Sequence, residues 1–204
     1  MKKNLYLIAI TLFIGSIIVN VFAGNIVSNG DFEQGTATAS GWWTASGTQT
    51  YSIDNTSPIS GLNSAKIITG TAGTSITSQG LYQALILPKA ATYTVTFKAK
   101  ASVACAIQGI LVQSFSNFGW LASSPTFNIT TSSQSFSYDI TTTALTGLCK
   151  FAFYYGNVAS GSTIWLDDIT VVEKNPLLNT NLCNGDFEAL MNNAHPMPEL
   201  CGRF

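Results

Sequence analysis

Short runs in which apolar and polar side chains alternate constrain the fold of this chain more than any other feature. In the run 92–100, one face of an extended backbone would collect Tyr93, Val95, Phe97 and Ala99, because successive side chains of a strand point to opposite sides. The same alternation recurs in the runs 134–140, 149–155 and 164–171. Each run therefore predicts a β-strand with one face in a core.

Clusters of Gly, Ser, Asn and Pro separate these runs, at 55–61, 70–73, 123–125 and 156–161. Such clusters are typical of turns, and no stretch between them shows a convincing helical period. Many short strands joined by frequent turns predict an all-β fold, an antiparallel sandwich. About 150 residues, 24–173, form one domain of ordinary size with a substantial core.

Charge is scarce, since 9% of the 204 residues are charged and the formal net charge is -1. Nucleic-acid binding requires clustered Lys and Arg, whereas the few cations here are spread along the sequence. The composition therefore predicts no nucleic-acid partner.

Residues 1–23 have the pattern of an export signal. Lys2 and Lys3 precede an apolar run, and Ala23 provides a small residue before a cleavage point at Gly24. A retained membrane anchor is the alternative, because the run approaches the ~20 residues that span a bilayer. Either interpretation predicts a secreted or cell-surface domain. If the signal is cleaved, we expect no membrane association of the mature domain.

Export makes disulfides possible for the four cysteines. Cys105 and Cys149 fall in strand-like stretches, where a bridge between neighbouring strands and two buried thiols are both open. Cys183 and Cys201 lie near the end of the chain and could bridge locally. No cysteine spacing resembles a zinc or redox motif.

The end of the sequence repeats its beginning. The motif at 29–33, Asn-Gly-Asp-Phe-Glu, recurs at 184–188 after an offset of 155 residues. We interpret 174–181 as a linker and 182–204 as the start of a second, truncated copy, so that this chain is a monomeric module within a longer tandem protein. The alternative is a coincidental match in a disordered tail.

Two acidic motifs bracket the domain. Glu33 belongs to the opening motif, and Asp167 and Asp168 lie 134 and 135 residues further on in the last predicted strand. Because acids are scarce between them, they suggest one site built by the two ends of the domain. A hard cation requires several oxygen ligands, some of them anionic, which these residues could supply.

The motifs together resemble carbohydrate-binding modules of families 4, 9 and 22, which are jelly-roll β-sandwiches with a galactose-binding-like topology, often appended to glycoside hydrolases. The resemblance covers residues 25–173. It rests on the motif at 29–33, Gly41-Trp42-Trp43, the segment 61–67, Gln83, and the segments 92–100, 127–130 and 164–171.

The resemblance implies a structural calcium ion where the first and last strands meet. Glu33 and Asp167 would be side-chain ligands, Asp31 would offer its backbone carbonyl, and the turn from Ser60 to Ser64 would supply the remainder. Ser60 departs from relatives that carry a carboxylate in this turn, which weakens the site. The alternative is that Glu33 and Asp167 cap strand ends and bond to backbone amides.

The resemblance also implies that the domain binds a polysaccharide or oligosaccharide. A pyranose ring stacks on an exposed aromatic ring, while its hydroxyl groups need amides or hydroxyls nearby. The candidates for this role are Trp120, Tyr82, Gln83, Tyr51 and Gln113, with Gln108 and Tyr138 as weaker ones. Core or near-core packing is the expectation for Trp42, Trp43, Phe97, Phe153 and Trp165.

Catalysis is not expected. The one histidine, His195, lies outside the domain, and a glycosidase would need two facing carboxylates, for which Asp54 and Asp139 are a formal pair without supporting context. A linked hydrolase is compatible with the sequence. The competing function is a structural or adhesive spacer without sugar binding. The small side chains around residues 101–106 favour it, because they offer little for a sugar to bind.

Overall fold

The computed structural model describes residues 24–35, 38, 40–87, 90–113, 119–142 and 147–174. These residues form ten strands and one short 3-10 turn, Ile76–Ser78. The strands are β1 (Trp43–Ala45), β2 (Thr50–Asp54), β3 (Ser64–Ile68), β4 (Gly80–Leu87), β5 (Thr92–Ala101), β6 (Cys105–Gln113), β7 (Trp120–Ile129), β8 (Gln134–Thr141), β9 (Gly147–Tyr154) and β10 (Thr163–Glu173).

Two five-stranded sheets pack face to face. The first sheet has the order β1-β4-β9-β6-β7, and the second has the order β2-β3-β10-β5-β8. Each strand pair for which a register is defined is antiparallel. The predicted all-β, antiparallel sandwich is confirmed.

Alternating side chains supply the core, as the sequence predicts. Tyr93, Val95, Phe97 and Ala99 point inward from β5, and each is at most 2% exposed. They meet inward residues of the first sheet, for example Phe153, whose ring centroid lies 4.8 Å from that of Phe97. Burial of these apolar surfaces is the main source of stability.

The last strand keeps two pairs of apolar residues inward by means of a bulge. Ile164 and Leu166 are buried, and so are Ile169 and Val171, although strict alternation would turn the second pair outward. The register with β5 shifts between Asp167 and Thr170, where Asp168 has a φ of +47°. The extra residue restores the inward phase of the strand.

The N-terminal segment lies along β10. The Ile26 amide donates to the Val171 carbonyl at 3.0 Å, and the Ile169 amide donates to the Gly30 carbonyl at 2.9 Å. Phe32, fully buried, packs on Trp42 with ring centroids 5.3 Å apart. The opening motif is thereby joined to the last strand, as the sequence predicts.

Two of the five aromatic residues expected in or near the core lie elsewhere. Trp42, Phe97 and Phe153 are buried, but Trp43 is 51% exposed and Trp165 is half-buried on the outer face of the second sheet. Trp43 follows the inward Trp42, and Trp165 stands between the inward Ile164 and Leu166. Alternation therefore turns both of them outward.

Cys105 and Cys149 are not joined by a disulfide. Their strands, β6 and β9, are neighbours, but Cys149 pairs with Gln113, at the other end of β6 from Cys105. Eight residues of a strand separate the two positions by roughly 26 Å, too far for a bridge. The thiol interpretation holds for this pair, and burial raises the pKa of Cys105 to about 11.

The export signal, the linker, the second copy, Cys183, Cys201 and His195 lie outside the described residues. Within the described part of the chain, no helix is long and apolar enough to cross a membrane.

Candidate functional site

The outer face of the first sheet carries aromatic and apolar side chains. Inward positions of its strands, such as Leu81 and Phe153, belong to the core, so the alternate positions face outward. We call this surface the aromatic face. Its outward positions are Trp43 and Ala45 on β1, Tyr82, Ala84 and Ile86 on β4, Leu148, Lys150, Ala152 and Tyr154 on β9, Gln108 and Ile110 on β6, and Trp120, Ser123 and Thr126 on β7.

A contiguous group of three side chains crosses this face. Trp43 is directly opposite Tyr82 in the β1–β4 register, and their ring centroids are 5.9 Å apart. On the other side of Tyr82, the Lys150 ammonium lies 5.0 Å from the ring centroid. Trp43 keeps half of its surface open to solvent, so its ring is available to a ligand.

Trp120 flanks the same face at the opposite edge. It begins β7 and pairs with Val112, which pairs in turn with Lys150 on β9. Four strand spacings separate β1 from β7, which places the two tryptophans roughly 19 Å apart across the sheet. Trp120 is 58% exposed, so its ring is accessible from solvent.

Small and apolar residues form the middle of the face. Ala45, Ile110, Ala152 and Tyr154 make a second buried cluster, distinct from the core, against which Ile76 and Tyr82 pack. Beside this cluster, the Gln108 side-chain amide donates to the Ser124 carbonyl at 2.8 Å. The middle of the face is therefore apolar and closed to water, and the Gln108 amide lies next to it.

Gln83 does not belong to this face, which corrects its prediction as a binding residue. It is 2% exposed and points inward, opposite to its neighbour Tyr82. Its amide oxygen accepts from the Ser28 amide at 2.8 Å, and its amide nitrogen donates to the Ser28 carbonyl at 2.8 Å. Gln83 thus holds the N-terminal segment to the first sheet.

Tyr51 is not on the aromatic face either. It lies in β2 of the second sheet, pairs with the buried Ile67 and packs against the core. The weaker candidate Tyr138 is also a core residue, in ring contact with Phe97 and Phe127. Gln113 ends β6 in the first sheet, and its side chain is outside the described ones.

The small side chains of the segment 101–106 do not form the surface of the aromatic face. Ala101 ends β5 in the second sheet and is buried, whereas Cys105 begins β6 in the first sheet. The intervening residues connect the two sheets. The observation that favoured a spacer in the sequence therefore concerns a connection and not the candidate site.

The two carboxylates of the predicted calcium site meet the same turn. One Glu33 oxygen accepts from the Leu62 amide at 2.7 Å and the Asn63 amide at 3.1 Å. The other accepts from the Asn63 side-chain amide at 3.2 Å. Glu33 thereby closes the turn between β2 and β3 against the N-terminal segment.

Asp167 is fully buried behind this turn. One of its oxygens accepts from the Ser64 hydroxyl at 2.7 Å and the Ser60 amide at 3.0 Å, and the other accepts from the Asp168 amide at 2.8 Å. Burial raises the pKa of Asp167 to about 6, although these hydrogen bonds lower it. All three donors are neutral, so a cation would favour the ionised form.

The remaining predicted ligands are placed less favourably. The Ser60 hydroxyl lies 3.3 Å from the Lys98 ammonium, which also forms a 2.7 Å ion pair with Asp168. The Asp31 side chain is exposed beside a polar cavity of about 450 Å³ that Asp168 also lines. Among the described residues, no three His, Cys, Asp or Glu side chains converge on one point. The two carboxylates are ligands of the kind that a hard cation takes, while the Lys98 ammonium beside Ser60 puts a positive charge next to the predicted site.

Asp54 and Asp139 cannot act as a glycosidase pair. Asp54 is in β2 and Asp139 is in β8, the two edge strands of the second sheet. Four strand spacings separate them by roughly 19 Å, whereas glycosidase carboxylates lie within about 10 Å of each other.

The family model for the carbohydrate binding domain of the 4/9 type matches residues 24–160. The chain belongs to this family. The match spans the N-terminal segment and β1 through β9, so it includes every strand of the aromatic face. Carbohydrate binding without catalysis is the function of such domains.

Solved structures support the same fold. A CBM4 module has a TM-score of 0.57 and 23% identity, over 72% of this chain and 99% of that one. The CBM22-1 xylan-binding domain of Paenibacillus barcinonensis Xyn10C has a TM-score of 0.58 and 12% identity, over 74% and 96%. The N-terminal cellulose-binding domain of Cellulomonas fimi β-1,4-glucanase C has a TM-score of 0.55 and 19% identity, over 76% and 100%. No curated protein matches the sequence.

Proposed function

We propose that the aromatic face binds a segment of a polysaccharide chain. The observation that carries this proposal is the position of two exposed tryptophans, Trp43 and Trp120, at opposite edges of one sheet face. Pyranose rings stack on such indoles through their C–H faces, and Gln108, on a strand that lies between those of the two tryptophans, offers an amide group. Their spacing suits several consecutive sugar units rather than one.

Affinity electrophoresis through gels that contain xylan, β-glucan, mannan or pectin tests this proposal. We expect retardation by at least one polymer, and a loss of roughly tenfold or more in affinity for Trp43→Ala and for Trp120→Ala. Trp165→Ala is the matched control, because Trp165 lies on the outer face of the other sheet. Unretarded migration on every gel would favour the spacer function.

Calcium at the junction of the first and last strands is part of the proposal. Glu33 and Asp167 would hold the ion, with oxygens of Asp31, Ser60 and Ser64 completing the set. Bound calcium would supply positive charge to the buried Asp167 carboxylate and would not take part in sugar recognition. The support is the neutral donor set around Asp167 and its raised pKa.

We also propose that the domain is exported and functions within a longer tandem chain, as an accessory to a glycoside hydrolase or a surface protein. The basic and apolar pattern of residues 1–23 supports export, and the repeated motif at 184–188 supports a second copy. Sequencing the N-terminus of the exported protein tests the cut, for which we expect Gly24 as the first residue.

A further inference from the structure

Exposed apolar side chains are concentrated on the aromatic face. Among the described residues, seven large hydrophobic side chains are at least 41% exposed, and four of them point outward from the first sheet: Trp43, Ile86, Trp120 and Leu148. The other three are spread over two turns and the second sheet: Leu62, Val103 and Ile68. Single apolar side chains are ordinary at a protein surface, whereas several on one face mark an interaction site.

Ile86 and Leu148 form an aliphatic pair on this face. They are directly opposite each other in the β4–β9 register and are 66% and 41% exposed. Ala84, the preceding outward residue of β4, is exposed as well. In contrast, Ile110 and Ala152 in the middle of the face are fully buried. The first sheet is therefore open to a ligand near the end of β4 and the beginning of β9, and closed at its middle.

The aliphatic pair lies beside the line that joins the two tryptophans. The row of paired residues that begins at Trp120 crosses β6 and β9 and reaches Ala84 on β4. Two residues along β4 separate Ala84 from Ile86, or roughly 7 Å. Trp43 is on the other side of this row, opposite Tyr82. A sugar chain that extends from Trp120 to Trp43 would therefore have the aliphatic pair along one flank, within reach of its substituents.

Aliphatic side chains suit some groups of a polysaccharide and not others. A hydroxyl group that covers Ile86 or Leu148 would lose water and gain no hydrogen bond, because neither side chain has a donor or an acceptor. The methyl group of an ester substituent would leave water favourably, with a gain proportional to the apolar area buried. Indoles differ in this respect, since they stack on the C–H face of an unsubstituted pyranose ring. The aliphatic pair therefore favours a chain that carries ester methyl groups.

We propose that Ile86 and Leu148 make the aromatic face selective for an esterified polysaccharide, whose O-acetyl or methyl-ester groups pack on the aliphatic pair. This inference rests on the proposed function, because it names the class of glycan that the same face binds. The pair is continuous with the two tryptophans, so its occupant is a substituent of the same ligand and not a separate partner. Trp43 and Trp120 would stack on the sugar rings, and the aliphatic pair would provide the selectivity.

The test measures binding of the full chain to each polymer before and after its ester groups are removed. Acetylated xylan and acetylated glucomannan lose their acetyl groups in mild alkali and keep their backbones. Methyl-esterified pectin is compared with its de-esterified form in high salt, which screens the new carboxylates. We expect the affinity for at least one esterified polymer to exceed that for its de-esterified form roughly three- to tenfold. A preference for acetylated xylan or glucomannan would identify the acetyl group, and one confined to pectin would identify the methyl ester.

The double variant Ile86→Thr, Leu148→Thr should abolish this preference. Threonine is well tolerated in strands, and it places a hydroxyl group where each aliphatic side chain was. We expect Tm and the affinity for the de-esterified polymers to stay unchanged. Ile68→Thr is the matched control, because Ile68 is as exposed as Leu148, at 41%, and lies on the outer face of the second sheet. It should leave the preference intact.

Equal or tighter binding of the de-esterified polymers by the wild-type chain would overturn the inference while the proposed function stands. A preference that survives in the double variant would overturn it in the same way. Light scattering provides a further check, because self-association that the double variant abolishes, without any ester preference, would assign the pair to a contact between copies of the chain. Failure of the wild-type chain to bind any polymer, esterified or not, would overturn both the inference and the proposed function.

Discussion

The outer faces of the two sheets use the same kinds of side chain in different ways. On the second sheet, outward residues bond to one another: Thr96 with Thr170 at 2.7 Å, Thr92 with Thr141 at 2.9 Å, and Lys98 with Asp168 at 2.7 Å. On the first sheet, most outward residues are aromatic or apolar, and the polar ones are Lys150, Gln108, Ser123 and Thr126. We call the outer face of the second sheet the polar face.

Two tryptophans show what this difference means. Trp165 on the polar face donates its indole N–H to Asp54 at 2.7 Å and has the Lys100 ammonium over its ring. Trp43 on the aromatic face contacts Tyr82 and leaves 51% of its surface open. One indole is used by the fold and the other is open to a ligand. Changes near the polar face should therefore reduce stability, and changes on the aromatic face should reduce binding.

The largest effect is expected where the N-terminal segment meets β10, at the border of the polar face. A Cβ at Gly30 would lie 2.0 Å from the Ile169 carbonyl oxygen, so the backbone would have to move and the 2.9 Å hydrogen bond between these residues would break. We expect Gly30→Ala to cost more than about 4 kcal/mol of unfolding free energy.

Thermal unfolding checks this prediction, with a fall in Tm of at least roughly 8 °C. Gly24→Ala is the control, since nothing lies within 4 Å of a Cβ at that position. An unchanged Tm for Gly30→Ala would mean that the segment is not held tightly against β10, and the contrast between the two sheets would lose its main structural support.

Calcium should act on the same border and not on the aromatic face. With free calcium at about 100 times its Kd, binding to the folded state alone adds about 2.7 kcal/mol of stability. We expect chelator to lower Tm by roughly 5–10 °C while polysaccharide retention measured below Tm stays unchanged. Glu33→Gln should abolish the response, and Asp139→Asn, an exposed carboxylate on the same sheet, should not. A Tm that chelator does not alter would mean that hydrogen bonds, those of Glu33 and Asp167 among them, hold this junction without a bound ion.

Neighbouring residues of β4 offer a sharper comparison, because Tyr82 faces the ligand side and Gln83 faces the core. Gln83→Leu keeps the volume but leaves the Ser28 amide and carbonyl without their side-chain partner. We expect it to reduce the unfolding free energy by roughly 2 kcal/mol and to leave binding intact. Tyr82→Leu should reverse the pattern, with binding reduced more than stability. Denaturant titration and gel retardation of both variants measure the two quantities separately.

The sequence predicted the fold and the interior of most strands, because alternation records which residues face the core. The same rule could have placed Trp43 and Trp165 outside, because each is next to an inward residue. It also implies that Tyr82 and Gln83, as neighbours in one strand, face opposite sides of the sheet. What alternation does not reveal is which strands become neighbours. Trp43 meets Tyr82 and Lys150 through pairings between distant parts of the chain, so the group on the aromatic face is visible only in the folded structure.

The smallest effect concerns acid and the polar face. Burial alone would raise the pKa of Asp54, but hydrogen bonds from Thr56 and Trp165 outweigh it and hold the pKa below its usual range. Because the pKa is lower in the folded chain, the folded state binds fewer protons than the unfolded state as pH falls below about 4. The stability from Asp54, which is fully present above that pH, is therefore lost as pH decreases toward the folded pKa.

We expect Tm to fall between pH 5 and pH 2.5. Asp54→Asn should cost roughly 1 kcal/mol of stability at neutral pH and should flatten that fall. Trp165→Phe, which removes one donor, should flatten it in part, whereas Trp43→Phe on the aromatic face should leave the profile unchanged. An identical acid profile for all three variants would show that Asp54 and Trp165 do not stabilise the polar face in this way.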